Sequence, residues 1–494
     1  MAPMNDLPRE LYRTEQSREL DRLAIEVYGI PAYTLMERAG RVAYRVLRRC
    51  WPQARRICIV CGGGNNAGDG YVVARFALRD GLTVRVLTLV DPERLQGAAG
   101  TAAKAYLELA RTEPFTAEAL GEAEVIVDAL LGTGLDRPVE GRFAQAIAAI
   151  NARHLPVLAV DIPSGIHGDT GQILGLAIGA SVTPTFIALK QGLFTGAAPD
   201  CTGEVIFGDL EVPPAVLIGI EPAARRITAA DVNPHLAPRQ RTAHKGRFGH
   251  VLVVGGDRGM GGAVRLAAEA ACRLGAGLVS AATRAEHIAP ILAARPEIMC
   301  RAVAGPEDLE PLLARATVVV LGPGLGSSTW SQALFERCVA FDGPLVIDAD
   351  GLNRLAQAPP RRGAWVLTPH PGEAGRLLGC SAAEVQADRF AAVAALQSRW
   401  GGVVVLKGAG SLIRSPALTW LCDRGNPGMA SGGMGDVLSG VVGGLLAQGL
   451  NCEAAAVSGV WLHARAADQA AGDGARGLLA TDLFEPLRRL ANPK

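Results

Sequence analysis

The chain has 494 residues, more than one ordinary hydrophobic core accommodates, so two to four domains are expected. It is 49% apolar with 60 glycines and 5% aromatic residues, a mix that suits α/β architecture with many tight strand-to-helix turns. Lys plus Arg number 49 against 48 Asp plus Glu, and the net charge of +1 excludes an electrostatic case for nucleic-acid or membrane partners.

Along the chain, "MAPMNDLPRELYRTEQSREL" carries acids and no apolar core of signal-peptide length, so a soluble, cytoplasmic protein is expected. Apolar runs then recur between helical stretches. In the first half they are "ICIVCG" (57–62), "TVRVLTLV" (83–90), "AEVIVDALLG" (123–132) and "PVLAVDIPSG" (156–165). Cys58 and Cys61 spell C-x-x-C, but residues three apart on a strand face opposite ways, and the ten scattered cysteines form no framework. Residues 211–247 hold five prolines and the basic run "RQRTAHKGR" (239–247) without a sustained period, which reads as a linker. The second half continues with "HVLVVGGD" (250–257), "GLVSAAT" (277–283), "TVVVLGPG" (317–324), "PLVIDADG" (344–351), "WVLTPH" (365–370) and "GVVVLKGAG" (402–410). Unbroken Val, Ile and Leu predict strands buried on both faces, hence parallel sheets between helices. Doubly wound sheets bind ligands at carboxyl strand ends, where these runs give way to Gly, Asp, Pro, Asn or His. The run "VLSGVVGGLLAQGL" (437–450) is shorter than the roughly 20 residues that span a bilayer.

In the first half, "CGGGNNAGDGYVVAR" (61–75) follows a strand and opens a helix. Gly62, Gly63 and Gly64 are expected to supply dihedrals closed to other residues, and the amides behind them an anion site. The pattern is not G-x-G-x-x-G, so an ordinary dinucleotide dehydrogenase fits poorly. Asp128, inside "VIVDALL", needs a partner or a metal to be buried, and oxygens from Asn66, Asp128 and Ser164 suit a hard monovalent cation. A structural carboxylate capping a loop is the alternative for Asp128.

These motifs, "DALLGTGLDR", "DIPSG" and "GIPAYTLMERAG" (29–40) resemble, in order, the YjeF N-terminal domain of the NAD(P)HX epimerases. The resemblance implies that Asn65, Asn66, Ala67, Gly68 and Asp69, then Gly132, Thr133, Gly134, Leu135, Asp136, Arg137 and Pro138, and Asp161 bind the hydrated nicotinamide nucleotide. It also implies potassium on Asn66, Asp128 and Ser164. Epimerisation removes and re-adds hydroxide at C6 of the ring, and Asp161 is the expected acid/base.

In the second half, "NPGMASGGMGDVLSGVVGG" (426–444) runs a Gly-rich turn into a small-residue helix with Asp436 in its first turn. A helix amino end favours phosphate, and a nearby carboxylate can take a proton from an attacking hydroxyl. No Lys-Ser/Thr follows, so it is not a Walker A loop. A plain helix cap is the alternative for Asp436. The arrangement resembles the ribokinase-like superfamily. With "KGAGS" (407–411), "DADGLN" (348–353), "TPHPGEAGRLLG" (368–379), "LGPGLG" (321–326) and "GDRGMGGAVRLAAEAACRLGAGLV" (256–279), it resembles the ADP-dependent NAD(P)H-hydrate dehydratases. That resemblance implies hydrate binding by Ala263, Gly326, His370 and Asp436. It implies nucleotide binding by Lys407, Gly408, Ala409, Gly410, Ser411 and Gly435, with Asp436 as catalytic base and Mg²⁺ screening charge. Met434 stands where Thr is common, so a hydroxyl contact to phosphate is expected to be missing.

The resemblances imply an epimerase domain at 1–222 with a Rossmann-like doubly wound sheet and a ribokinase-like α/β dehydratase domain at 223–494. The implied substrates are NADHX, NADPHX and ADP, and a homo-oligomer is expected. Two alternatives remain at this stage: a small-alcohol kinase with a regulatory first domain, and a nucleotide sensor without turnover.

Overall fold

A computed structural model describes residues 7–358, 363–472 and 474–493. The described chain divides after Ala224 into two compact units.

The first unit is built on a seven-stranded sheet. Its order is Glu113–Pro114, Thr83–Thr88, Arg56–Cys61, Val125–Ala129, Val157–Ala159, Val182–Phe186 and Glu204–Gly208, every neighbour parallel. Arg56–Cys61 lies between Thr83–Thr88 and Val125–Ala129, so the winding reverses there and leaves a crevice at the carboxyl ends. Ile57, Ile59 and Cys61 pack into one apolar cluster while Cys58 and Val60 pack into another. The two thiols therefore sit on opposite faces of the sheet, as strand alternation requires. A short parallel pair, Glu10–Tyr12 with Leu189–Lys190, accompanies the main sheet.

In the second unit the parallel strands run in the order Met299–Ala302, Leu278–Thr283, His250–Val254, Val318–Leu321, Leu345–Ile347, Trp365–Leu367 and Val403–Leu406. The chain then turns back antiparallel through Ser411–Arg414 and Thr419–Cys422. Residues 225 and 226, within the expected linker, pair with Trp420 and Leu421 instead of forming a loose connection. The expectation of purely parallel sheets thus holds up to Leu406 and fails beyond it. The reason is local: the Gly-rich turn after Leu406 is short enough for a hairpin, and a parallel return needs a longer crossover.

The helices Gly261–Arg273 and Met434–Ala447 cover this sheet and pack on each other. A Cβ on Gly440 would lie 2.0 Å from the Ala267 carbonyl oxygen, and one on Gly443 would lie 2.5 Å from Val320 Cγ2. The small residues of 437–447 therefore serve close packing inside the unit. Among the described residues no helix is long and apolar enough to cross a membrane. Replacing Gly440 with Val should push these helices apart and destabilise the second unit by about 3 kcal/mol, read as a lowered midpoint in thermal denaturation.

Candidate active sites

One cavity of about 1030 Å³ lies in the first unit. Its wall gathers Asn65, Asn66 and Asp69, the whole loop Gly132–Pro138, and Asp161. Ala67 and Gly68 do not line it. They are fully buried, and a Cβ on Gly68 would meet Met36 and Ala99, so these two pack the helix Asn65–Arg79 against its neighbours. The triple glycine also works differently from expectation. None of Gly62, Gly63 and Gly64 has a positive φ. Gly62 is needed because a Cβ there would lie 1.9 Å from the Leu130 carbonyl oxygen, where the loops of adjacent strands touch. Gly64, in extended conformation, precedes the helix without a side-chain cap, so the helix amino end stays open toward the cavity.

Asp161 has a left-handed backbone, φ 67°, just past the strand Val157–Ala159. Its Oδ1 accepts from Thr185 Oγ1 at 3.1 Å, the Phe186 amide at 3.3 Å and Lys190 Nζ at 2.5 Å. Lys190 is 2% exposed and also donates to Thr185 Oγ1 and the Phe186 carbonyl. The cavity holds two further carboxyls. Burial, with Asp161 and Asp21 adding, drives Asp69 well above the usual carboxylate range against the pull of Lys190. Asp21 keeps an exposed edge, yet the protein mass around it pushes its carboxyl up to about 6, opposed by Lys190 and reinforced by Asp161. Sequence reasoning missed Asp21, Lys190 and Arg18, whose Nη2 donates to the Thr133 carbonyl at 3.0 Å. "ELDRLAIE" carries no motif, and only the fold brings its helix, Thr14–Glu26, to the cavity.

Asp128 and Ser164 lie beneath the cavity floor, 0% and 1% exposed. Ser164 donates its amide to Asp128 Oδ2 at 2.9 Å and its hydroxyl to Oδ1 at 2.6 Å. Burial lifts Asp128 to about 6 even though these hydrogen bonds and one from the Leu130 amide pull it down. Asn66 Nδ2 donates to the Leu131 carbonyl at 3.0 Å, and Ser164 Oγ accepts from the Leu131 amide at 2.9 Å, so Leu131 joins the three expected oxygen donors. Asn66 Oδ1 is buried with no hydrogen-bond partner. A buried carbonyl oxygen left unsatisfied beside a buried carboxylate fits a hard cation, and loop capping alone would not leave it so.

In the second unit the expected residues meet at the carboxyl strand ends. Lys407 Nζ donates to the buried Asp348 Oδ1 at 2.8 Å and lies 3.7 Å from Glu373 Oε2. Ser439 donates to the other Asp348 oxygen at 2.7 Å. A Cβ on Gly435 would lie 3.3 Å from Lys407 Nζ and 3.4 Å from Asp348 Oδ2, which places the Gly-rich turn directly over this pair. Burial would raise Asp348, but the charge and hydrogen bond of Lys407, with Ser439 and Thr368, hold it below its ordinary value. Asp436, partly buried beside it, is pushed up to about 7 by burial, by Asp348, Asp350 and Glu373, against the pull of Lys407. That value suits a general base near neutrality.

Gly326, φ 74°, donates its amide to Asp350 Oδ2 at 2.7 Å, and Ala263 stands beside Gly324 of the same loop. Gly326 therefore reaches the acid cluster through Asp350, and Ala263 packs against the loop that carries it. His370 is half exposed, and its Nδ1 accepts from the amides of Gly372 and Glu373, capping the helix Pro371–Leu378. Its other ring nitrogen, Nε2, lies 3.5 Å from Glu373 Oε1, which ties the ring to the acid cluster. Met434 is buried in the apolar core. His463, missed by sequence reasoning, is buried beneath the turn and hydrogen-bonds the Met434 backbone; burial pushes its imidazole down to about 4.

Two α/β units, each with an acid and a lysine at the carboxyl edge of a sheet, define an enzyme with two sites. A family model described as YjeF-related protein N-terminus matches residues 32–192, and one described as NAD(P)H-hydrate dehydratase matches residues 251–489. A bifunctional NAD(P)H-hydrate repair enzyme of Coxiella burnetii is 52% identical over 98% of this chain and 99% of its own. The Escherichia coli enzyme of the same description is 45% identical over 99% of this chain and 95% of its own. A ribokinase-like superfamily protein of Enterococcus faecalis superposes with a TM-score of 0.51 at 28% identity, covering 56% of this chain and 99% of its own. The chain belongs to the bifunctional NAD(P)H-hydrate repair enzymes. Its second unit has the ribokinase-like fold.

The raised carboxyl of Asp436 has a consequence for stability. The folded chain favours the protonated acid while the unfolded chain ionises near 3.8, so this group's contribution is full below about pH 4 and is lost as pH rises to about 7. Asp436→Asn should therefore raise the melting temperature of the second unit at pH 8 and leave it nearly unchanged at pH 4, measured by calorimetry at both values.

Proposed function

We propose that the first unit interconverts the R and S epimers of NADHX and NADPHX, and that the second dehydrates the S epimer, converting ADP to AMP and phosphate. The observation that carries the reading is one cavity in which the three Gly-rich or Asp-bearing loops of the first unit converge. Its size, about 1030 Å³, accommodates a nucleotide.

In the epimerase cavity the ring nitrogen's lone pair expels the C6 hydroxyl, which must leave with a proton, and water then adds to the opposite face and must lose one. Asp161, held by Lys190 and Thr185, exchanges these protons. Asp69 and Asp21 supply further carboxyl groups in the same wall. Asn66, Asp128 and Ser164 would hold potassium, which would fix the floor beneath the helix amino end and add positive charge under the bound nucleotide.

At the second site Asp436 takes the proton of the C6 hydroxyl, whose oxygen attacks the terminal phosphorus of ADP, and AMP leaves. The ring nitrogen then expels phosphate, a far better leaving group than hydroxide, and loss of a C5 proton restores the dihydropyridine. Lys407 and the amino end of Met434–Ala447 favour the charge that develops on phosphate. Mg²⁺ bound to the nucleotide would screen the charge of its phosphates. The reading carries with it a cytoplasmic, self-associating enzyme with NADHX and NADPHX both as substrates.

Two variants test the assignment. Asp161→Asn should reduce epimerisation at least about 100-fold while the S epimer is still dehydrated. Asp436→Asn should bind both nucleotides and epimerise normally, yet release at least about 1000-fold less phosphate from ADP. Full epimerisation by the first variant, or undiminished phosphate release by the second, would remove the corresponding role. Phosphate release with ADP and ATP in parallel checks the choice of nucleotide.

A further inference from the structure

The loop after Val403–Leu406 is shaped by a residue no motif includes. Arg389 opens the helix Arg389–Trp400 and is 1% exposed. Its Nη2 donates to the carbonyls of Leu406 at 3.3 Å, Lys407 at 3.3 Å and Gly410 at 3.4 Å. Its Nη1 donates to Lys407's carbonyl at 3.4 Å and to Gln386 Oε1 at 2.7 Å. Burial lowers the guanidinium to about 10, so it stays charged at neutral pH. The loop closes tightly over it. Gly408 has φ 141°, and a Cβ there would lie 2.8 Å from Arg389 Nη1. Gly408 and Ala409 face solvent on the other side.

We propose that Arg389 is the positioning residue of the dehydratase's nucleotide loop. Its guanidinium draws the carbonyls of residues 406, 407 and 410 inward and so fixes the outward backbone of 408–411 in the form that takes ADP. This rests on the reading of 407–411 as the nucleotide loop. An arginine is required because one planar fork reaches several carbonyls at once; a lysine ammonium is a compact point charge. Lys407 is shared by two networks, since its carbonyl is held by Arg389 and its ammonium by Asp348. The loop is thereby indexed to the catalytic acids.

The test uses steady-state dehydratase kinetics of the full chain with purified S-NADHX and varied ADP. Arg389→Lys should raise the KM for ADP about tenfold while kcat and the KM for the hydrate change less than about threefold, the split expected when uniform ligand binding is lost. Gln386 is exposed, so Gln386→Met should fold normally; it loosens the same guanidinium and should raise the KM for ADP about threefold. If Arg389→Lys fails to melt cooperatively, Gln386→Met decides. Ala409→Glu places a negative charge on the exposed side of the loop and should also raise the KM for ADP. A raised KM in Ala409→Glu with unchanged KM in the other two overturns the role of Arg389. Unchanged KM in all three overturns the nucleotide-loop reading beneath it.

Discussion

A lysine bonded to an aspartate at the carboxyl edge of a parallel sheet occurs in both units, as Lys190 with Asp161, where the lysine is buried, and as Lys407 with Asp348, where the aspartate is. Neither member could be buried alone without a large desolvation penalty. Each pair therefore fixes a strand end, and the strand ends carry the loops. Around the first pair stand Asp69 and Asp21, and around the second Asp436, Asp350 and Glu373, so each site holds more acid than one cation neutralises. That excess lifts particular carboxyls toward neutrality, and proton exchange at neutral pH requires such groups.

The two units use their pairs differently. In the first, the carboxylate bonded to lysine is itself the proposed proton carrier and faces the cavity. In the second, the bonded carboxylate is buried, and the less buried Asp436 is the proposed base, with Lys407 bonded to Asp348 and its charge acting on both acids. The fusion has a chemical logic, since hydration yields both epimers and the dehydratase is proposed to take one. On this proposal each site acts alone on a substrate that diffuses freely.

Much of this was legible in the residues. Unbroken apolar runs gave parallel strands, and the Gly-Asp-Pro transitions marked their functional ends. Where the reading failed, the cause was contact across sequence distance. Val182–Phe186 contains Pro184, which argues against a strand, yet the Pro184 carbonyl accepts the Asp161 amide and so sets the acid's position. Lys190, Asp21 and Arg389 belong to no glycine motif, and their roles arise from partners 29, 140 and 18 residues away. Gly62 was rightly singled out for the wrong reason, since what matters there is an approaching carbonyl and the dihedral is ordinary.

Complementation in trans addresses the independence of the two sites most directly. Equimolar Asp161→Asn and Asp436→Asn chains are mixed with both NADHX epimers and excess ADP, and NADH is followed by its absorbance. With two autonomous sites linked by a diffusing hydrate, the mixture recovers all of the cofactor, whereas Asp161→Asn alone quickly recovers only the S fraction. A mixture that stops at that same fraction would contradict the account.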